Sequence, residues 1–346
     1  LKQDIQHEAK ILDNNEIIID GQLVGKINGL KISLDYTATA LQTDIKSIKK
    51  AARNGVATEL KRRIEEIINS PENFSLKKDK NIYWQDQVVG KINPGKNYLN
   101  PDVKIVADES IEPQDQQRIA VSLLNWLKQE NKNLLQDLIK IENSNTENRF
   151  IRGLCYQLFE NNGVLKRESV DSIVKQINKE DRVSLRKLGI KIGRYHIYQP
   201  RMVKPAAVTF KTILWNCFYN LSENECPAFG LNFVKNFSNK NKEYLLICGF
   251  ETFDNYIVRI DMLERLFLKI ISLGKSGAFE LTSDMLNLLG STKEDFKELM
   301  KKMNYKCIDN KEKTLFKYMP KKYFSKSIAT KVSNNPFGEL KKIKTL

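Results

Sequence analysis

RIDMLERLFLKIISL, residues 259–273, decides how the rest of the chain is read. Ile260, Leu263, Leu266, Phe267 and Ile270 recur on one face at helical spacing, so the stretch predicts an amphipathic helix. Gly274 follows as a stop, because glycine enters the left-handed region without a Cβ penalty. Working outward, Phe279–Glu280 reads as a short extended bridge and Thr282–Leu289 as a second helix closed by Gly290. Ser291–Glu294 (STKE) has the form of a capping box and opens a third helix through Met303, with Phe296, Leu299, Met300 and Met303 facing inward. Tyr305–Ile308 and Thr314–Tyr318 are strand candidates joined by the turn DNKEK. Helix, short strand, two helices and a two-stranded wing is the order of a winged helix, expected over residues 251–325. A generic helical subdomain with a hairpin is the other packing open to these elements. The third helix offers Lys293, Lys297 and Lys301 as candidate nucleic-acid contacts, but Glu294, Asp295 and Glu298 lie among them. Nucleic acid and protein therefore both stand as partners of this module.

With 346 residues, two or three domains are expected, with ample chain to bury cores. A hydrophobic fraction of 41% and a mean hydropathy of −0.45 fit a soluble globular protein. No run approaches the roughly 18 apolar residues of a membrane span, and the N-terminal LKQDIQHEAK lacks a signal-peptide core. No membrane partner is expected, and the expected compartment is the cytoplasm. The chain begins with Leu rather than Met, so either a piece of a longer protein or a chain lacking its true start is expected. Net charge is +15, which favours polyanions through long-range attraction and counterion release. Abundant Lys, Asn and Ile beside scarce Arg is also what an AT-rich genome imposes on any protein. The five cysteines are scattered with no CxxC pair, and the histidines are His7 and His196, so no zinc spacing occurs and reduced thiols are expected.

An internal repeat occupies the front of the chain. IIDGQLVGKI (18–27) matches YWQDQVVGKI (83–92), each an extended run, a polar turn and a second strand ending Gly-Lys-Ile. Each predicted hairpin leads into a helix, striped by Ile45, Ile48, Ala52, Val56, Leu60, Ile64 and Ile67 in the first copy and by Ile119, Leu123, Leu127, Leu134, Leu135 and Leu138 in the second. The second copy carries an expected loop, NPGKNYLNPD. Trp84, aligned with Ile19, reads as a packing residue rather than a base-stacking platform. The repeats are expected over 1–70 and 71–145, with Ser70–Asn73 between them and NSNTEN (143–148) as the linker after them.

A central helical block with a small sheet is expected over 146–250. Helices are predicted at Arg149–Glu160, at Arg167–Asn178 and ending at Leu188, with Arg194–Gln199 as a strand. Pro200 breaks that strand, and Pro205 opens a helix containing Phe210, Ile213, Leu214, Cys217 and Phe218. A second low-complexity stretch, Asn232–Glu243, precedes a predicted strand at Tyr244–Phe250. Arg186, Lys187, Lys191, Arg194, Arg201 and Lys204 accumulate beside Tyr195, His196 and Tyr198. Cations that neutralise phosphates next to rings that stack on bases suit a single-stranded nucleic-acid site. A solvated basic face with half-buried tyrosines is the competing reading.

LRKLGIKIGRYHIYQPRMVKPA, VRIDMLERLF, GAFELTSDMLNLLG, MNYK, the WQDQVVGKI hairpin and the terminal NNPFGELKKI resemble the C-terminal region of bacterial DExH-type ATP-dependent helicases. These are alphaproteobacterial relatives of the mitochondrial RNA-degradosome helicase. The resemblance covers most of the chain in motif order. It implies an accessory region of a helicase acting on RNA or RNA–DNA substrates, with RNA ahead of DNA as partner. ATP and magnesium would be held by RecA-like motor domains, in cis or in trans, and no cofactor is expected in this chain. No G-x-x-x-x-G-K-[ST] loop or acidic box occurs here. Gly274-Lys275-Ser276 lacks its partner glycine, since Lys269 stands five residues earlier.

No catalytic or metal-binding residue is expected. Asp261 and Glu264, flanked by Arg259 and Arg265, read as solvated intrahelical ion pairs, and His196 as a packed or surface imidazole. The expectation is thus a helix-rich α+β chain of two tandem β-hairpin–helix modules, a central block, a winged-helix-like subdomain and a basic tail (326–346). Its expected role is to grip nucleic acid, or alternatively to serve as a protein–protein adaptor.

Overall fold

The computed structural model describes residues 9–35, 45–144, 146–222, 224–238, 241–274, 277–309 and 313–319. The expected basic tail, with its NNPFGELKKI stretch, lies outside them. The first repeat is an antiparallel meander of β1 (Ala9–Ile11), β2 (Glu16–Ile19), β3 (Gln22–Asn28) and β4 (Lys31–Leu34), followed by α1 (Ile45–Asn69). After a 3-10 turn at Pro71–Asn73 the plan returns as β5 (Phe74–Leu76), β6 (Asn81–Trp84), β7 (Gln87–Asn97), β8 (Asn100–Ile105) and α2 (Pro113–Leu134). The expected hairpins are therefore the inner pairs of two four-stranded sheets.

The two copies match to the level of register. Ile17 faces Gly25 and Ile19 faces Gln22, and the pairing shifts by one residue between Ile17 and Ile18. Ile82 faces Gly90 and Trp84 faces Gln87, with the same shift between Ile82 and Tyr83. Both turns hold two left-handed residues, Asp20 and Gly21 in one, Gln85 and Asp86 in the other. That geometry matches the twist of a two-residue hairpin. The expected loop NPGKNYLNPD is instead the far end of the β7–β8 hairpin, closed by Asn97 opposite Asn100. Asn97 makes this possible, because its side chain accepts from the amides of Leu99 and Asn100. Trp84 is buried, and the α1 stripe from Ile48 to Ile67 is buried with it.

The helical run of the second copy breaks at Leu135, after which α3 (Gln136–Glu142) begins. The central block continues with α4 (Arg149–Glu160), β9 (Val164–Lys166), a 3-10 turn at Arg167–Val170, α5 (Asp171–Val174), α6 (Lys179–Lys187), β10 (Lys191–Ile192) and β11 (His196–Tyr198). A 3-10 turn at Pro200–Val203 leads to α7 (Pro205–Phe218), then β12 (Phe233–Lys235), α8 (Lys242–Ile247), β13 (Phe250–Thr252), β14 (Tyr256–Arg259) and α9 (Ile260–Leu273). The helix expected over Arg167–Asn178 is thus a 3-10 turn and one short helical turn. The strand expected at Tyr244–Phe250 is helix α8, because the Asn241 side chain caps it by accepting from the Tyr244 amide. Gly249, at φ +86°, follows the helix. The stretch read as low complexity contains β12, which pairs with β14.

One apolar cluster runs from Ile17 to Cys217, so the repeats and the central block share a core. Within it α7 lies across β7. The Lys211 side chain of α7 is fully buried and donates to the Asn162 carbonyl at 3.0 Å. Burial pushes its amine down to about 7.

The chain divides into two compact units, residues 1–269 with 288–290, and residues 270–287 with 291–346. The second holds β15 (Ala278–Glu280), most of α10 (Ser283–Leu289), α11 (Lys293–Lys302), β16 (Tyr305–Asp309) and β17 (Thr314–Tyr318), with sheet order β15-β17-β16. Phe316 stacks on Phe279 at 5.4 Å and meets Phe296 edge-on at 5.6 Å. The cap of α11 falls one residue later than expected. Thr292 accepts from the Asp295 amide, while the Ser291 hydroxyl is buried without a partner.

Candidate nucleic-acid interface

An open cleft of about 570 Å³ lies among α3, α6, β10 and the Pro200 turn. Arg182, Arg186, Lys191 and Arg201 line it together with Asp137, Gly189 and Pro200. Local chemistry puts the cations there. Asn178 and Asp181 form a capping box that starts α6 and places Arg182 and Arg186 one turn apart. At its far end the Gly189 amide bonds the Arg186 carbonyl and the Ile190 amide bonds the Leu185 carbonyl. This is a Schellman closure that needs the left-handed Gly189, at φ +76°. The chain then returns along the cleft, bringing Lys191.

Gln199 fixes the opposite side. Its buried side-chain amide donates to the carbonyls of Asp137 (2.8 Å) and Leu188 (3.1 Å), tying the Pro200 turn to α3 and to the end of α6. Asp137 is 4% exposed and receives Lys140 at 3.2 Å and Arg201 at 4.0 Å. Among the described residues Arg182, Arg186 and Lys191 enter no ion pair, so their charge is not neutralised by a neighbouring carboxylate.

The expected site residues divide into groups. Arg186, Lys191 and Arg201 meet in the cleft; Lys187, Arg194 and Lys204 are exposed outside its lining. His196 and Tyr198 are each 1% exposed, so neither ring has a face open to a base. Tyr195 is half-buried, edge-on to Phe267 at 4.5 Å, with the Arg194 guanidinium 5.9 Å from its ring. In the second unit Lys293 and Lys301 are exposed, whereas Lys297 is held by Asp309 at 2.7 Å. Arg182 and Asp137 were not anticipated. Arg182 had a signal, one turn before Arg186 on a single helix; Asp137 had none, since tertiary packing delivers it.

Behind the cleft lies a buried charge cluster that was also not anticipated. His196 Nε2 is 2.7 Å from Glu251 Oε2 and its Nδ1 is 3.2 Å from Glu264 Oε1. Lys166 reaches Glu251 at 2.6 Å. Glu264, expected at the surface, is 1% exposed and accepts from the amides of Arg194, Tyr195 and His196. Burial alone would discharge the imidazole; the bonds to Glu251 and Glu264 outweigh it and raise the His196 pKa. Burial likewise opposes ionisation of Glu251 and Glu264, and His196 leads the bonds that lower both. The cluster therefore locks the Lys191–Tyr198 hairpin, which supplies one side of the cleft, onto α9. Asp261 does pair with Arg259 at 2.6 Å, but the pair is part-buried and joins the end of β14 to the first turn of α9 rather than lying solvated within one helix.

Lys269 lies inside α9, where backbone amides are spent on the helix and leave no nest for phosphate. Among the described residues no three His, Cys, Asp or Glu side chains group as metal ligands, and no helix is long and apolar enough to cross a membrane. No family model, curated protein or solved structure matches the chain.

Proposed function

We propose that this chain is an accessory nucleic-acid-binding region of an ATP-dependent helicase. It grips a single strand by its phosphates and leaves ATP hydrolysis to motor domains in cis or in trans. The observation that carries the reading is the convergence of Arg182, Arg186, Lys191 and Arg201 on one open cleft. Clustered guanidinium groups neutralise phosphates and release counterions without needing to read bases. The net charge of +15 supports capture of a polyanion at long range. The helicase context is supported by the motif resemblance of the central and C-terminal stretches.

The order β15, α10, α11, β16, β17 and the β15-β17-β16 sheet support a winged-helix reading of the second unit, which holds only the last residues of the expected first helix, α9. A protein-docking role for that unit is favoured by one observation. Ile308 and Tyr318 of its two-stranded ribbon are 39% and 38% exposed, while Lys297 is tied to Asp309.

Filter binding of a labelled single-stranded RNA at low salt tests the main reading. Arg186→Ala with Arg201→Ala is expected to weaken binding by roughly tenfold or more, with an unchanged thermal melt by circular dichroism. Equal affinity of variant and parent would overturn it.

A further inference from the structure

A cleft built only to hold phosphate would gain nothing from a carboxylate, yet Asp137 stands in its wall among four cations. Its contacts with Lys140 and Arg201 both run to Oδ1. Oδ2 faces Gly189. A Cβ at that position would come within 2.8 Å of Oδ2, so only a glycine there leaves room beside this oxygen, and Asp137 and Gly189 both line the cleft. Gln199 holds the Asp137 backbone carbonyl and so seats α3 against the cleft, while Lys140 and Arg201 hold the carboxylate through Oδ1. The cleft thus presents one fixed hydrogen-bond acceptor within a ring of donors. The ligand that suits such a site carries a hydroxyl donor close beside its phosphate.

We propose that Asp137 is a specificity-determining residue that accepts a hydrogen bond from a ribose 2′-hydroxyl, so that the cleft selects RNA over DNA. The inference rests on the nucleic-acid reading above and adds the sugar to it. The chemistry is general: the 2′-hydroxyl is the group by which a site tells the two polymers apart, and it sits one carbon from the 3′-phosphate. An ionised acceptor makes a stronger bond than a neutral one, and DNA leaves that acceptor facing a C–H. The cations grip either polymer, while Asp137 penalises the one without a donor.

The test compares three oligonucleotides of one sequence: RNA, 2′-deoxy and 2′-O-methyl RNA. The methylated strand keeps the A-form sugar preference but has no donor. The unaltered chain is expected to bind RNA about tenfold more tightly than either of the others. In Asp137→Asn the RNA preference should shrink to about two- or threefold, with DNA binding unchanged or tighter because a negative charge is gone. Binding of 2′-O-methyl RNA as tight as RNA, equal binding of RNA and DNA, or a preference unaltered in Asp137→Asn would each overturn the proposal. The first two outcomes require no variant to fold. Salt-sensitive but equal binding of all three strands would defeat this inference alone; no binding of any strand would defeat the nucleic-acid reading itself.

Discussion

Glu264 bears more on the cleft than any residue that lines it, although it faces away from solvent. Its carboxylate accepts from three consecutive amides and contacts the His196 ring, so it holds the shape of the turn at Gly193–Tyr195. Gly193 has no side chain because a Cβ there would land on that carboxylate. Glu264→Gln places an amide against amide donors and strips His196 of one anion. Removing one partner of a buried pair costs about 3–5 kcal/mol, so the urea midpoint of the variant should fall sharply. The effect carries a pH signature. Glu251 and Glu264, lowered from 4.5, contribute stability above that value and lose it as pH falls through their folded pKa values. His196, raised from 6.5, contributes fully below that value and loses it as pH rises through its folded pKa. The gap between parent and variant midpoints should therefore be widest between pH 4.5 and 6.5 and narrow on both sides. A gap that stays flat from about pH 4 to about pH 9 would refute the lock.

At the level of elements, the repeat allows the same substitution to be made twice in different surroundings. Gly25 and Gly90 occupy equivalent places next to the register shift of their hairpins. A Cβ at Gly25 would strike the Ser33 carbonyl oxygen, which the β3–β4 ladder holds in place. At Gly90 it would meet the Leu123 Cδ1 at 2.8 Å, the tip of a side chain with rotamers to spare. Gly25→Ala should cost about 2–4 kcal/mol and Gly90→Ala about 1 kcal/mol, read from urea unfolding; equal losses would show that the copies tolerate strain alike. The same contrast explains what the amino-acid pattern revealed. Helices α4 and α9 were readable because their buried positions recur at helical spacing, whereas α7, buried at almost every position, was readable from Pro205 at its start. The three-residue strands β1, β5 and β12 were not, since pairing with a neighbour defines them rather than any period of their own. Tyr244–Phe250 was misread because a continuous apolar run does not separate a buried strand from a buried helix, and the Asn241 cap carried the decision. The basic half of the cleft was visible as charge between Arg186 and Arg201. Its acidic wall was not, because Gln199 brings α3 there through packing.

Across the whole molecule, two basic surfaces are candidates for the main grip under the proposed nucleic-acid reading, and salt dependence separates them. For a single strand, the logarithm of the affinity falls with the logarithm of salt by about 0.7 for each phosphate neutralised. Four cleft cations that each meet a phosphate would supply a slope of about 3. Replacing Arg182, Arg186, Lys191 and Arg201 by Ala should flatten the slope by about that amount, while an exposed apolar contact would leave it alone. The α11 surface should behave differently. Lys293 and Lys301 share their helix with Glu294, Asp295 and Glu298, and Lys297 is already occupied by Asp309. A field that cancels over one or two turns attracts few phosphates, because the Debye length of about 8–10 Å exceeds the spacing between opposite charges. Lys293→Ala with Lys301→Ala should change the slope by less than about 1. Comparable flattening by both sets would place the grip on the second unit as much as on the cleft. No flattening by the cleft set, in a chain that still melts as the parent does, would remove the cleft from the interface and leave the net charge of +15 as diffuse attraction.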